Sequence, residues 1–396
     1  MPLAVPGTMP IVDGRCSVSS LAWLDTSQED ERRMRELVKM FSDTSTLDDL
    51  GIGQVRDGLA DLMFPGTSTI HARPRYFLII PWIFQRAAAK HSGTLVTSKA
   101  NDEERRLIEV LRSPTPVRGM IGARAGKAVR NLPSSIYWSA LHRYRILVDP
   151  KALTWNVGVP PPDSFPAQLD DGLDLTYDEA EWLRERIIVA APGTYLAHLL
   201  SDGLDTDPAD AQIPWAHPAL ATASTDLRAV VEHARLFSLA INGAALTYNL
   251  LLAEKHDTLS SADDGLADHY EELLSEWADD IVGNRTEVAN WDTDAFWSTV
   301  GRGRTGPVAP ATRIFVDDWI ARVRNADPHT MSNDPGVRRM ISERERKNKG
   351  ENSRLGSDRQ IKNWGGSSGS ARLNFRWPVV QTLLDDVREG LASAPS

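Results

Sequence analysis

Eighteen consecutive residues, Leu236 to Ala253, carry no charge, in a chain where 25% of residues are charged. Such a run fits only a bilayer or a protein core. It contains Ser238, Asn242, Gly243, Thr247, Tyr248 and Asn249, which makes it too polar for a comfortable span of about 20 apolar residues. Ser224 or Thr225 can start a helix here, and the pattern predicts that helix to about His256. Apolar residues fall almost all round it, so it is expected at the centre of the fold with other helices packed around it.

The remaining pattern is also helical. Thr26 with Glu29 forms a capping box, and Met34, Leu37, Val38 and Phe41 follow at the spacing of one buried helical face. Asp48 to Met63 is predicted as a helix interrupted at Gly51-Ile52-Gly53 and stopped by Phe64-Pro65-Gly66. Tyr76 to Lys90 reads as a buried helix kinked at Pro81, and Asn101 to Arg112 as a charged amphipathic one. Leu132-Pro133-Ser134-Ser135 opens another. Residues 150 to 168, with Pro160, Pro161 and Pro162, form a rigid connector. A second capping box, Thr176 with Glu179, starts a helix through Ala190. A short helix follows to Leu200, then an acidic loop from Gly203 to Pro218. Further helices are predicted over Ser260 to Ile281, Asp292 to Val300, Pro310 to Arg324, Pro335 to Lys349 and Pro378 to Leu391. The expected fold is mainly α and multi-helical, with a long buried central helix and at most a few short strands. Its expected divisions are a disordered N-terminus (1–18), an N-terminal helical region (19–150), a proline-rich connector with short helices (151–222) and a C-terminal helical region (223–396).

The net charge of −10 conceals a polarised distribution. Residues 112 to 148 hold Arg112, Arg118, Arg124, Lys127, Arg130, Arg143 and Arg145 with no acid, a charge of +7. Residues 338 to 377 hold eleven Lys or Arg against Glu343, Glu345, Glu351 and Asp358, again +7. The rest of the chain therefore carries −24. Such basic segments suit a phosphate backbone, because neutralising phosphates releases counterions. The second also interleaves Trp364, Phe375 and Trp377, and exposed aromatics among cations can stack on bases. A competing reading pairs the basic helix Pro335 to Lys349 with the acidic helix Ser260 to Ile281. The single cysteine, Cys16, allows no internal disulfide and no Cys/His zinc spacing. With no secretory pattern in Met1 to Pro10, a cytoplasmic protein is expected.

The catalytic motifs fail on chemistry. Gly119-Met-Ile-Gly122-Ala-Arg-Ala-Gly126-Lys127 has Ile121 where a P-loop needs glycine and Ala128 where it needs a hydroxyl, so it is expected to be an anion-friendly turn. Gly365-Gly366-Ser367-Ser368-Gly369 matches the letters of a nucleophile elbow but lacks the strand before it and the helix after it. Glu345-Arg346-Lys347 has an acid-x-lysine spacing inside a predicted helix. Asp57 and Asp61 share a helix face beside Arg56. With His71 and Arg73 they are weak candidates for an acid/base or metal site, and a salt-bridged pair is the competing reading. No cofactor and no metal are expected.

Several segments occur together: Ser20-Leu-Ala-Trp-Leu-Asp25, Leu50-Gly-Ile-Gly53, Leu62-Met-Phe-Pro-Gly-Thr-Ser-Thr-Ile70, Arg75-Tyr-Phe-Leu78 with Pro81-Trp82, Leu132-Pro-Ser-Ser-Ile-Tyr-Trp138, and Trp364-Gly-Gly near Arg376-Trp377-Pro378. Through them the chain resembles, from about residue 19 to 392, a bacterial family of about 400 residues known only as a domain of unknown function. The resemblance implies a bacterial cytoplasmic protein acting in a multigene system for defence or DNA handling. The leading expectation is a nonenzymatic accessory protein that binds DNA or RNA phosphates. Arg124, Lys127, Arg130, Arg143, Arg346, Lys347, Arg372 and Arg376 are its expected backbone contacts, and Trp364 and Phe375 its stacking platforms. The alternatives are a scaffold or adaptor for other protein subunits, and a metal-dependent hydrolase or nuclease around Asp57, Asp61 and His71. No membrane association is expected.

Overall fold

The computed structural model describes residues 48–113, 117–169, 171–207, 210–259 and 265–393. The first capping box, the helical face from Met34 to Phe41 and the expected disordered segment 1–18 lie outside them. In chain order the helices are α1 (Gly53–Met63), α2 (Tyr76–Ala88), α3 (Thr94–Arg112), α4 (Pro133–Arg143), α5 (Tyr177–Ala190), α6 (Tyr195–Asp202) and α7 (Thr225–Leu259). Then follow α8 (Leu266–Gly283), α9 (Arg285–Asn290), α10 (Thr293–Arg302), α11 (Pro310–Asn325), α12 (Pro335–Lys349), α13 (Asp358–Ile361) and α14 (Trp377–Ala392). The one sheet among the described residues is an antiparallel pair, β1 (Leu147–Asp149) and β2 (Thr154–Trp155), with a register shift between Leu147 and Asp149. The mainly α, multi-helical architecture is thus as the pattern predicts.

The 35 residues of α7 run about 52 Å at 1.5 Å per residue. By length and composition α7 could cross a membrane, but 89% of its apolar window is buried inside the protein. Its polar residues explain why. Ser238 Oγ donates to the Leu373 carbonyl at 2.8 Å and Asn242 Nδ2 to that of Ser370 at 2.9 Å. Asn249 donates to the Ser368 carbonyl at 2.9 Å and accepts from its amide at 2.7 Å. The residues that make the run unfit for lipid therefore satisfy the backbone of an irregular strap laid along the helix, which would otherwise be buried with open donors and acceptors.

Two indoles approach α7 from other helices. Trp277 of α8 donates to the Leu239 carbonyl at 2.9 Å, and Trp319 of α11 to that of Ala240 at 2.8 Å. Trp277 abuts Gly243, where a Cβ would sit 2.3 Å from the ring. Glycine is tolerated mid-helix here because only a bare backbone lets the indole in.

Local signals explain most boundaries. The Thr176–Glu179 capping box forms with both bonds in place, at 3.4 and 3.1 Å. α3 starts seven residues before the predicted start at Asn101, because buried Val96 and Ala100 extend its core face past the charged pattern. α1 starts at Gly53 rather than Asp48: the Asp48 carboxylate accepts the Gly53 amide, which fixes 48–52 as a turn. The four-residue α13 and six-residue α9 are too short to show a period.

The buried side chains form one continuous cluster from Leu50 to Val387, crossing both boundaries expected near 150 and 222. α14 packs on α5, with Gly390 against Ala180, and Arg304 near α10 donates to the Gln54 carbonyl of α1 at 3.0 Å.

Candidate nucleic-acid interface

The loop after α3 is built from glycine and pinned by arginine. Gly119, Gly122 and Gly126 take positive φ values of 74, 85 and 53°. Arg105 of α3 reaches under the loop and donates to the carbonyls of Lys127 and Val129, while Glu109 accepts the Lys127 amide at 3.1 Å. Tyr76 accepts the Ile121 amide at 3.0 Å, and Arg73 donates to the Arg118 carbonyl at 3.3 Å. The backbone is therefore held from below by α2 and α3. A short 3₁₀ turn, Gly126–Ala128, takes the place of any strand–loop–helix phosphate cradle.

The side chains of this loop point the other way. Arg118, Arg124, Lys127 and Arg130 are exposed and make no ion pair among the described residues. Arg112 is exposed beside Gly126, 3.9 Å from Glu109. Arg143, also exposed, donates instead to the Ala190 carbonyl at the end of α5 at 3.2 Å.

Six of the eleven cations in the second basic segment are engaged internally. Arg338 pairs with Glu254 of α7, Lys349 and Arg354 pair with Asp49, and Arg372 pairs with Asp280 of α8 at 3.1 Å. Arg344 is buried and donates to the carbonyls of Leu50, Gly51 and Ala311. The competing pairing of α12 with the acidic helix is corrected among the described residues: the ion pairs of α12 go to α7 and to Asp49, and α8 meets the segment through Arg372. Arg346 and Lys347 stay exposed. No hydrogen bond or ion pair joins the two basic segments among the described residues.

The expected stacking platforms are not exposed. Trp364 is 6% and Phe375 2% exposed. Trp364 lies against Tyr270 and His256 and donates to Ser368 Oγ at 3.2 Å, and Phe375 lies edge-on to Trp215. In a helical protein with one extensive core, aromatics beside cations were needed for burial.

The weak catalytic candidates are occupied. Arg376 bonds Asp61 at 2.7 Å and the Thr67 carbonyl at 2.9 Å, and lies 3.9 Å from Asp57, which Arg56 holds at 2.9 Å. His71 stacks on Tyr137 at 4.3 Å, edge-on to Phe77. Burial, with the Arg376 charge adding to it, pushes its pKa down to about 4, so it is neutral at pH 7. Between pH 6.5 and 4 the unfolded chain takes up a proton that the folded imidazole refuses, so stability falls on acidification through that window. From pH 7 to 5 His71 should account for a loss of about 2 kcal/mol. Urea unfolding of H71F at both pH values checks this, because its loss should be smaller by that amount. An equal loss in both proteins would refute it.

Glu345 is fully buried, accepting from Tyr248, Ser353 and the Arg354 amide, whereas Lys347 is exposed. The acid-x-lysine letters thus fall on opposite sides of α12. Thr222, His198 and Asp202 come close to a nucleophile–base–acid line, at 3.3 Å for each step. However, His198 Nε2 faces the Ala219 carbonyl at 2.7 Å, which requires a proton on that nitrogen and removes the base.

A cavity of about 460 Å³, lined by Arg73, Asp174, Thr176 and Asp386, was not foreseen. Arg73, 8% exposed, crosses its floor between Asp386 and Asp174, each at 2.6 Å. Burial pushes the Asp386 carboxyl up to about 6 against the pull of Arg73. Those partners lie 313 and 101 residues from Arg73 in sequence, beyond any spacing rule.

A model of a family of unknown function, DUF6361, matches residues 18–155 and 146–390. No curated protein and no solved structure matches the chain.

Proposed function

Because the chain belongs to the DUF6361 family, whose function is unknown, we propose its role chiefly from geometry: a nonenzymatic accessory protein that binds the phosphate backbone of nucleic acid through Arg118, Arg124, Lys127 and Arg130. One observation carries this reading. Within a single loop the backbone is tied down by Arg73, Tyr76, Arg105 and Glu109, while four cationic side chains find no ion-pair partner among the described residues. A cation already bonded to a carboxylate must give up that bond to take a phosphate, and among the described residues these four have none to give up. Arg346 and Lys347 are secondary contributors, and Arg372 and Arg376 are engaged elsewhere. The negative remainder of the surface repels a polyanion and orients it toward the loop. Following the sequence resemblance, the setting is the bacterial cytoplasm, within a DNA-handling or defence system.

A salt series tests this. Binding of the purified chain to fluorescent DNA should weaken with salt at a slope of log K against log salt of about −4, near −0.9 for each of four phosphates. No binding at about 50 mM salt would end the reading and turn the search to protein partners.

A further inference from the structure

We infer that the loop surface recognises the backbone of a duplex without reading its bases, and that it discriminates against single strands. The inference rests on the phosphate-binding reading and narrows its ligand. Proteins that hold single strands do so largely by stacking bases on aromatic rings along a continuous basic groove. Among the described residues the exposed rings are missing, and part of the basic surface is spent on internal ion pairs. Among the described residues no Phe, Tyr or Trp is exposed, and the large exposed apolar side chains are aliphatic: Leu95, Val148, Val189, Leu259, Val282 and Ile314. Beyond the loop, Arg338, Lys349, Arg354, Arg372 and Arg376 are bound to Glu254, Asp49, Asp280 and Asp61, and the cations left exposed there, Arg346 and Lys347 among them, are tied to the loop by no hydrogen bond or ion pair among the described residues.

Base-edge reading in a groove needs a helix or ribbon that can enter it. The loop offers only a three-residue turn, pinned against α3. Its amides are also committed: Ile121 to Tyr76, Lys127 to Glu109, Gly126 to Gly122 and Val129 to Gly126. What remains is a confined set of cations, which best matches a stiff rod with a high linear charge density. A duplex presents one charge per roughly 1.7 Å of axis, and its stiffness keeps it off the acidic flanks that a flexible strand would have to cross.

The test compares the full chain's binding to labelled 20-base-pair duplex DNA of several unrelated sequences, a duplex RNA of the same length, and single-stranded oligonucleotides including oligo-dT. At fixed low salt, at least one duplex type should bind about tenfold or more tighter than any single strand, with unrelated sequences of that duplex within about threefold of one another. The two duplex arms show whether DNA or RNA supplies the backbone. Single strands bound as tightly as duplexes, or a strong preference for one sequence, would overturn this inference and leave phosphate binding intact. Loss of binding in every arm would instead remove the underlying reading.

Discussion

Reversing the four loop charges together, as R118E, R124E, K127E and R130E, should weaken duplex binding by about a thousandfold or more and leave the melting temperature almost unchanged. At about 1 kcal/mol for each phosphate contact, four lost contacts come to about 4 kcal/mol, or three factors of ten, before the new repulsion is counted. The fold should not notice. The four side chains are exposed and make no ion pair among the described residues, and surface substitutions of that kind stay within roughly 0.5 kcal/mol each. The loop's shape depends on Arg73, Tyr76, Arg105 and Glu109, none of which is altered. Circular dichroism and thermal melting, run beside the binding assay, separate loss of function from loss of fold. A folded quadruple variant that binds normally would falsify the proposed interface.

Gly243→Val should cost stability on a comparable scale for an unrelated reason. A Cβ at this position falls 2.3 Å from Cζ2 and 2.4 Å from Cε2 of Trp277, and the ring is held in place. Its Nε1 is bonded to the Leu239 carbonyl, and Trp319 lies 6.4 Å away, itself bonded to Ala240. Replacing a mid-helix glycine with alanine is ordinarily worth about 1 kcal/mol in helix propensity. Here overpacking at the centre of the core should outweigh that gain. Valine adds two methyl groups to the clash and should cost about 3 kcal/mol or more. The check is chemical denaturation of wild type, Gly243→Val, Trp277→Ala and the double variant. If the clash is the cause, the valine should be far less damaging once the indole is gone, with a coupling energy of about 2 kcal/mol. Strict additivity would show that the valine acts through something other than Trp277.

The candidate site was legible only in part, and the reason lies in what a charge pattern can convey. The +7 stretch from 112 to 148 contains no acid, and Arg118, Arg124, Lys127 and Arg130 within it stay exposed with no ion pair among the described residues. The equal charge over 338 to 377 gave the same signal, but five of its eleven cations are spent on Asp49, Glu254, Asp280 and Asp61, all distant in sequence. Net charge counts cations, and only the tertiary structure shows whether each has found an anion. Trp364 and Phe375 follow the same logic: an aromatic beside an arginine is written identically whether it faces solvent or a core.

The fold was more legible, because its elements rest on local physics. The length of α7, the capping box at Thr176 and the proline starts at Pro310 and Pro335 follow from periodicity and from unsatisfied amides within one turn. The sequence by itself also determined that the run from Leu236 to Ala253 belongs to a core, since its serine and asparagines need partners that lipid lacks. It did not say which partners. The strap from Gly366 to Leu373, the indole on Gly243 and the Arg73–Asp174–Asp386 cluster were decided by the packing of segments more than 30 residues apart. Periodicity reports the environment a residue requires, and only the assembled chain fixes which distant group meets that requirement.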